Sequence, residues 1–265
     1  MNRLRGRSVI KLQEAAMRIH RTLLLVAVTT ALGVPVESHA TVLIFDQTRN
    51  ATQTTVIPTS AGSVVQQDYG DNVTSSPMNV PGGQFTYGNE GEGFTPNIVT
   101  DYFSDAGVSQ WTIQYGDLTN VLFASPLSGA SPNTLNIRLT ADPGFEVLLY
   151  HFDLAGWANS DYMINGVSVF SDTTTLFSQN NVLVEGDFSG PRHTTFDFAN
   201  PLSAEQLQIQ IDFSNLAESI QDNIGIDNIR FGQNPPAAVP IPTALWLFGS
   251  GLLGLIGTAR RKKAV

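Results

Sequence analysis

Short stretches in which apolar and polar residues alternate recur along the middle of the chain and predict β-strands. The clearest is 207–213, where every second residue is apolar, and residues 111–115 and 135–139 follow the same alternation. Because successive side chains of a strand point to opposite faces, each stretch would bury one face and expose the other. Residues 145–152 are apolar in both phases, which is typical of a central strand covered on both faces.

Turn signals separate these stretches. An Asp-Pro-Gly sequence at 142–144 marks one turn, and an Asn-Gly pair at 165–166 predicts a hairpin within 161–170. A polar segment at 203–206 predicts a single helical turn. Many short strands with turns between them predict an all-β sandwich for the central part of the chain.

The last strand candidate changes phase half-way. Ile224 and Ile226 share one phase of the pleat, and Ile229 and Phe231 share the other, which predicts a β-bulge at 227–228. The wording Gly-Ile-Asp-Asn-Ile-Arg-Phe at 225–231 resembles the closing strand of galactose-binding-like and carbohydrate-binding-module jelly rolls. The resemblance implies a jelly-roll-like β-sandwich ectodomain over residues 41–233.

The N-terminus has the features of an export signal. Basic residues precede an apolar run at 23–34, Pro35 ends the run, and small residues lead to Ala40. This order predicts a signal peptide at 1–40, removed by signal peptidase after Ala40. Met17 is an alternative start, because the first sixteen residues fit no signal-peptide plan. At the other end of the ectodomain, 234–238 is a Pro-rich linker.

The C-terminal segment, 239–263, has three parts. Two prolines come first, an uncharged run of about twenty residues follows, and four basic residues end it. The run predicts a single transmembrane helix at about 244–259, and the basic tail at 260–263 predicts a cytoplasmic end. A permanent membrane anchor would have the same features.

The order and wording of this segment resemble the PEP-CTERM sorting signal, in a variant with Ile241 where the motif has glutamate. The matching positions are Pro240, Pro242, Trp246, Gly249, Gly251, Arg260 and Arg261. The resemblance implies recognition by an exosortase-type sorting protease, transient residence in the inner membrane as a single-pass protein, and delivery to the cell surface or the extracellular space.

The charge of the ectodomain limits its partners. Residues 41–239 contain four arginines, no lysine and 21 acidic residues, a formal charge of −17. Such a domain repels nucleic acid and anionic lipid, and it suits divalent cations. The chain has no cysteine, which excludes disulfides, thiol catalysis and thiolate metal sites.

A structural calcium site is one candidate feature. Asp46 follows the first strand candidate, and Asp227 lies at the predicted bulge in the last. First and last strands of a jelly roll commonly pair, so both carboxylates would converge and supply oxygen ligands. The alternative is that Asp227 accepts a backbone hydrogen bond and Asp46 caps a turn.

Glycan contact is the second candidate feature. Trp157 lies among small residues in a predicted loop, with Tyr162 nearby, and could offer a flat surface to a sugar ring. The alternative is a tryptophan folded over the edge of the core, where Trp111 is also expected.

Patterns typical of enzymes are missing: there is no Gly-x-Ser-x-Gly, phosphate-binding loop or His-Glu-x-x-His. The sequence therefore predicts an exported, non-catalytic surface or extracellular-matrix protein, structural or adhesive in association with exopolysaccharide. A lectin-like carbohydrate-binding module is the alternative. A secreted hydrolase is the third hypothesis; it would need two carboxylates across a glycosidic bond, and the closest pair in sequence is Glu90 and Glu92.

Overall fold

The computed structural model describes residues 40–52, 56–73, 93–126 and 131–234. The predicted signal peptide up to residue 39, the Glu90–Glu92 pair, most of the linker and the whole sorting segment at 239–263 lie outside the described residues. Among the residues that are described, no helix has the length and apolar character required to span a membrane.

Strands dominate the described ranges. They are β1 (Thr41–Leu43), β2 (Gln47–Arg49), β3 (Val56–Pro58), β4 (Ser63–Val64), β5 (Ile98–Ser104), β6 (Val108–Trp111), β7 (Val121–Ala124), β8 (Thr134–Ala141), β9 (Glu146–Gly156), β10 (Tyr162–Ser171), β11 (Thr174–Val184), β12 (Thr194–Ala204), β13 (Gln206–Asp212) and β14 (Ile224–Asn234). The helix that these ranges contain is a 3-10 helix at Glu218–Asn223.

The long strands form two antiparallel sheets. The first sheet has the order β12-β9-β14-β7-β6-β4, with β1 also paired to β14, and the second has the order β11-β10-β13-β8-β5. Strands β2 and β3 form a separate ribbon. The pairing of β1 with β14 confirms that the first and last strands lie side by side.

The connections between β7 and β14 follow a jelly roll. Apart from the β10–β11 hairpin, each of these eight strands is followed by one in the opposite sheet. The result is two interleaved four-stranded orders, β7-β14-β9-β12 and β8-β13-β10-β11. This is the double Greek-key arrangement of jelly rolls. The predicted fold class, an all-β jelly-roll-like sandwich, is confirmed.

The core lies between the inner faces of the sheets. Leu207, Ile209, Ile211 and Phe213 are fully buried, as the alternation at 207–213 predicts. Each such side chain contributes about 1.5–3 kcal/mol by leaving water. Strand β9 is central, between β12 and β14, as its doubly apolar sequence predicts.

The predicted bulge at 227–228 is confirmed. The register between β14 and β9 shifts between Asp227 and Arg230, and Asn228 adopts a left-handed φ of 54°. Asparagine tolerates this conformation better than most residues. The extra residue allows Ile226 and Ile229 both to point into the core.

Three local predictions are wrong. The Asn165-Gly166 pair lies in the middle of β10, because Gly166 pairs with Asn180 on β11 and with Asp212 on β13. The hairpin turn instead follows β10, where Asp172 has a φ of 49°. The segment at 203–206 forms no helical turn, since its first two residues pair with β9. The strand predicted at 111–115 ends at Trp111.

Candidate functional site

The outer face of the first sheet carries a second apolar cluster. On β7, Leu122 and Ala124 point into the main core, whereas Val121 and Phe123 point the other way. Tyr115, Leu118 and Ala155 complete this outer cluster, and Trp111 and Trp157 pack against it. The solvent face of an antiparallel sheet is usually polar, so an aromatic cluster at this place requires an explanation.

The early end of β6 creates the cluster. Gln114 adopts a left-handed φ of 71°, and its carbonyl oxygen accepts a hydrogen bond from the backbone N–H of Asn159 at 2.9 Å. The chain therefore leaves the sheet after Trp111 and returns at Tyr115, which bridges to Trp157. As a result both Trp111 and Tyr115 lie on the outer face.

A small residue makes room for the tyrosine. Gly225 lies under Tyr115, where an added Cβ would lie 2.8 Å from the ring. The tyrosine hydroxyl donates to the carbonyl oxygen of Asp222 at 2.8 Å. Burial raises the pKa of Tyr115 well above its usual value, with Asp222 and Tyr162 adding to the shift, so the hydroxyl keeps its proton.

A cleft of about 300 Å³ opens beside this cluster. That volume is at the lower end of the range for small-molecule pockets, about 300–1,000 Å³. Its walls are four aromatic rings and a few small or polar residues: Gly62, Ser109, Trp111, Tyr115, Phe123, Ser125, Pro126, Trp157, Asp222 and Asn223. The rings of Trp111 and Phe123 meet edge-on with centroids 6.2 Å apart.

Several donors around the cleft have no partner. The indole N–H groups of Trp111 and Trp157 and the hydroxyl of Ser109 are buried without a hydrogen bond to any described residue. Ser109 is only 1% exposed. These three atoms are enclosed by the protein, and a buried polar group without a partner costs about 1–3 kcal/mol.

The structure places Trp157 in the cleft wall and Tyr162 behind it. Trp157 follows β9, and its backbone N–H donates to the carbonyl oxygen of Asn223 at 2.8 Å. Tyr162 does not line the cleft; its hydroxyl donates to the carbonyl oxygen of Trp157 at 2.5 Å and accepts from Nδ2 of Asn223 at 2.7 Å. Tyr162 therefore positions Trp157. Trp111, expected in the core, is also in the cleft wall.

Of the two calcium candidates, Asp227 lies at the bulge of β14 and Asp46 lies between β1 and β2. Asp227 is 4% exposed, and its carboxylate accepts the backbone N–H of Asn228 at 2.8 Å. Burial raises the pKa of Asp227 well above its usual value, and Asp153 and Asp46 raise it further. Asp46 and Asp227 are thus close enough to interact. Among the described residues, no three or more His, Cys, Asp or Glu side chains are arranged to hold a metal. Structural calcium stays a prediction.

A histidine–aspartate network lies on the same outer face. Asp153, on β9, is 4% exposed and accepts hydrogen bonds from Thr195 at 2.7 Å and from Asn228 at 3.0 Å. Nε2 of His151 lies 3.2 Å from the same carboxylate, and Nδ1 lies 3.5 Å from Asp197. Burial would raise the pKa of Asp153, but the hydrogen bonds from His151, Thr195 and Asn228 lower it.

This network is structural in character, because its buried carboxylate is fully engaged by neighbours that hold strands β9, β12 and β14 together. The sequence interpretation missed it. The signal was present, since His151 and Asp153 are two residues apart and therefore share one face of a strand.

Comparisons with known proteins give structural neighbours alone. No family model matches the chain, and no curated protein matches it. One solved neighbour is a family 32 carbohydrate-binding module from a family 31 glycoside hydrolase of Clostridium perfringens, with 9% identity over 49% of this chain and 78% of that chain, and a TM-score of 0.25.

Two further neighbours are similar at the same level. A family 32 module from C. perfringens, solved in complex with galactose, has 9% identity over 52% of this chain and 93% of that chain, with a TM-score of 0.24. Discoidin II of Dictyostelium discoideum has 11% identity over 50% of this chain and 54% of that chain, with a TM-score of 0.26. At these TM-scores the neighbours identify no ligand for this chain.

Proposed function

We propose that this protein is a non-catalytic carbohydrate-binding domain and that the aromatic cleft on the outer face of the first sheet is its glycan site. The observation that supports this most directly is the composition of the cleft: Trp111, Tyr115, Phe123 and Trp157 form its walls, beside a few small or polar residues. Aromatic walls with a few polar groups are typical of ligand sites that fix the orientation of a small molecule.

A sugar ring suits both parts of this cleft. One face of a pyranose exposes C–H groups, which pack on an aromatic ring, and its edge carries hydroxyl groups, which accept and donate hydrogen bonds. Trp157 supplies a ring, and Ser125, Asp222 and Asn223 supply polar groups in the lining of the cleft. Tyr162 and Asn223 hold Trp157 in place before the ligand arrives, which reduces the entropy lost on binding.

The cleft favours binding over hydrolysis. Glycoside hydrolysis generally requires two carboxyl groups on either side of the scissile bond. Asp222 is the single carboxylate among the residues that line the cleft. The third hypothesis, a secreted hydrolase, therefore has no support from this site.

The experiment is a glycan array probed with the full-length protein in detergent. Trp157→Ala is expected to abolish binding of the glycans that the wild type retains. The matched control is Phe103→Ala, because Phe103 is a half-buried aromatic under Arg138 in the second sheet, with the ring centroid 4.8 Å from the guanidinium carbon. Equal binding by wild type and Trp157→Ala would reject the cleft as the site.

The sorting segment supports the place of action. The pattern from Pro240 to Arg261 would bring the domain to the cell surface or the extracellular matrix through an exosortase-type protease, after transient passage through the inner membrane. There a glycan-binding domain would attach to exopolysaccharide, which unites the lectin-like alternative with the structural or adhesive role. The ectodomain charge of −17 disfavours nucleic acid as a partner.

The mass of the mature protein tests this part. Cells with the sorting protease are expected to yield a chain that begins at Thr41 and has lost the basic tail, and cells without it a chain that keeps the tail. Retention of the tail in both strains would favour a permanent anchor.

A further inference from the structure

The cleft has an unbalanced charge. Its ten lining residues include one carboxylate, Asp222, and no Lys, Arg or His. Within the described ranges, the ion pairs of the structure involve other aspartates, such as Asp153 and Asp197, and none reaches Asp222. Among the residues that the structure describes, the negative charge in the cleft therefore has no cation paired with it.

Asp222 is also partly removed from water. Burial raises the pKa of its carboxyl group above the usual value, and a backbone hydrogen bond opposes the shift only in part. A carboxylate that has lost hydration without gaining a counter-charge is stabilised by any cation that reaches it. A ligand that carries a cation into the cleft would stabilise the Asp222 carboxylate most strongly.

The aromatic walls favour the same ligand. The faces of tryptophan and tyrosine attract ammonium groups through the negative potential above the ring. Trp111, Tyr115 and Trp157 all line the cleft with Asp222. The whole ectodomain adds a long-range attraction, since residues 41–239 carry a formal charge of −17.

We propose that the cleft selects an amino sugar: a pyranose whose free ammonium group pairs with Asp222 while its ring packs on the tryptophans. This inference rests on the proposed glycan site and specifies its ligand class. An N-acetylated sugar keeps an N–H donor but has lost the positive charge that would pair with Asp222. A uronic acid or sulfated sugar brings a second negative charge into a cleft that has no basic residue.

The test is calorimetric titration of the full-length protein in detergent at low salt and about pH 6, where the amines of a glucosamine oligomer are largely protonated. The ligands are three oligosaccharides of one linkage and length: β-1,4-linked glucosamine, N-acetylglucosamine and glucose. The glucosamine oligomer is expected to bind at least about tenfold more tightly than the other two. Asp222→Asn is expected to remove that preference, so that the glucosamine oligomer binds no more tightly than the other two.

The matched control is Asp142→Asn. Asp142 is an exposed carboxylate in the turn between β8 and β9, outside the cleft, so this variant makes the same change in net charge. It is expected to keep the preference for glucosamine. If both variants lose the preference equally, the charge of the whole domain rather than Asp222 selects the ligand, and the inference is overturned.

The outcomes separate this inference from the proposed function. Equal binding of all three oligomers, lost in Trp157→Ala, would overturn the amino-sugar preference and leave the glycan site standing. Binding of no oligomer here, together with an empty glycan array, would overturn both.

Discussion

The hydroxyl of Tyr162 lies 2.5 Å from the backbone carbonyl oxygen of Trp157, to which it donates a hydrogen bond. The same hydroxyl accepts Nδ2 of Asn223 at 2.7 Å, at the end of the 3-10 helix. One phenol thus links the start of β10 to two residues of the cleft wall. Trp157, which the sequence indicates as a contact for a sugar ring, is therefore held in place by Tyr162, the second residue that the sequence indicates for that role.

Tyr162→Phe removes that link while keeping the ring. We expect the free energy of unfolding to fall by about 1–2 kcal/mol, because the Trp157 carbonyl and the Asn223 amide each lose a partner. Glycan affinity should fall several-fold, since Trp157 is no longer fixed. Urea denaturation and titration measure the two effects.

The control for that variant is Tyr150→Phe, a tyrosine on β9 whose ring lies 5.8 Å from the guanidinium carbon of Arg230. It should leave glycan affinity unchanged. If Tyr162→Phe lowers stability but not affinity, Tyr162 supports the fold and does not position Trp157 for binding.

The fold could be predicted because local patterns carried the information. The alternation at 207–213 predicted which side chains are buried, since a half-buried strand must repeat with period two. The change of phase around Asp227 predicted the bulge for the same reason. The pattern failed where tertiary pairing decided the outcome, as at Gly166, which two neighbouring strands hold in β10.

The cleft could be predicted only in part. Trp157 was recognisable from its surroundings of small residues. Its partners Trp111 and Phe123 come from β6 and β7, and they meet Trp157 only because β7 pairs with β14, which pairs with β9. No local pattern contains that adjacency. The left-handed turn at Gln114, which moves Tyr115 to the outer face, likewise depends on a hydrogen bond from Asn159.

Gly116 is required by a close approach of two chain segments next to the cleft. Its φ is +57°, and an added Cβ would overlap the carbonyl oxygen of Arg192. Gly116→Ala should lower the free energy of unfolding by roughly 2–5 kcal/mol, from backbone strain and overlap together. Gly190→Ala is the control, because no atom lies within 4 Å of its added Cβ. Similar melting temperatures for the two variants would contradict the assigned contact.

Asp227 allows a direct test of the predicted calcium site. If calcium binds at Asp46 and Asp227, saturating calcium should raise the melting temperature of the wild type; a hundredfold excess over the dissociation constant is worth about 2.7 kcal/mol. Asp227→Asn should remove this response. The amide oxygen can still accept the Asn228 N–H, so the bulge is kept.

Without calcium, Asp227→Asn should change the stability of the protein in the opposite direction. Because burial raises the pKa of Asp227, its ionised form is destabilising without a cation, and Asp227→Asn in chelator should be neutral or stabilising. If the wild-type protein has the same melting temperature in calcium and in chelator, calcium does not bind at this site. Asp142→Asn, in an exposed turn, serves as the charge control.

His151 should make stability depend on pH. The hydrogen bond to Asp153 raises its pKa; burial opposes this, Asp197 adds to it, and Arg230 reduces it. Because the folded protein holds the proton more tightly than the unfolded chain, this contribution is fully present below the unfolded pKa of about 6.5. It is lost as the pH rises through the higher folded pKa.

The free energy of unfolding should therefore decrease above about pH 6.5 in the wild type, and this decrease should disappear in His151→Gln. Denaturant titrations from pH 5 to 9 measure the slope, and identical slopes in wild type and His151→Gln would show that the His151–Asp153 pair does not set it.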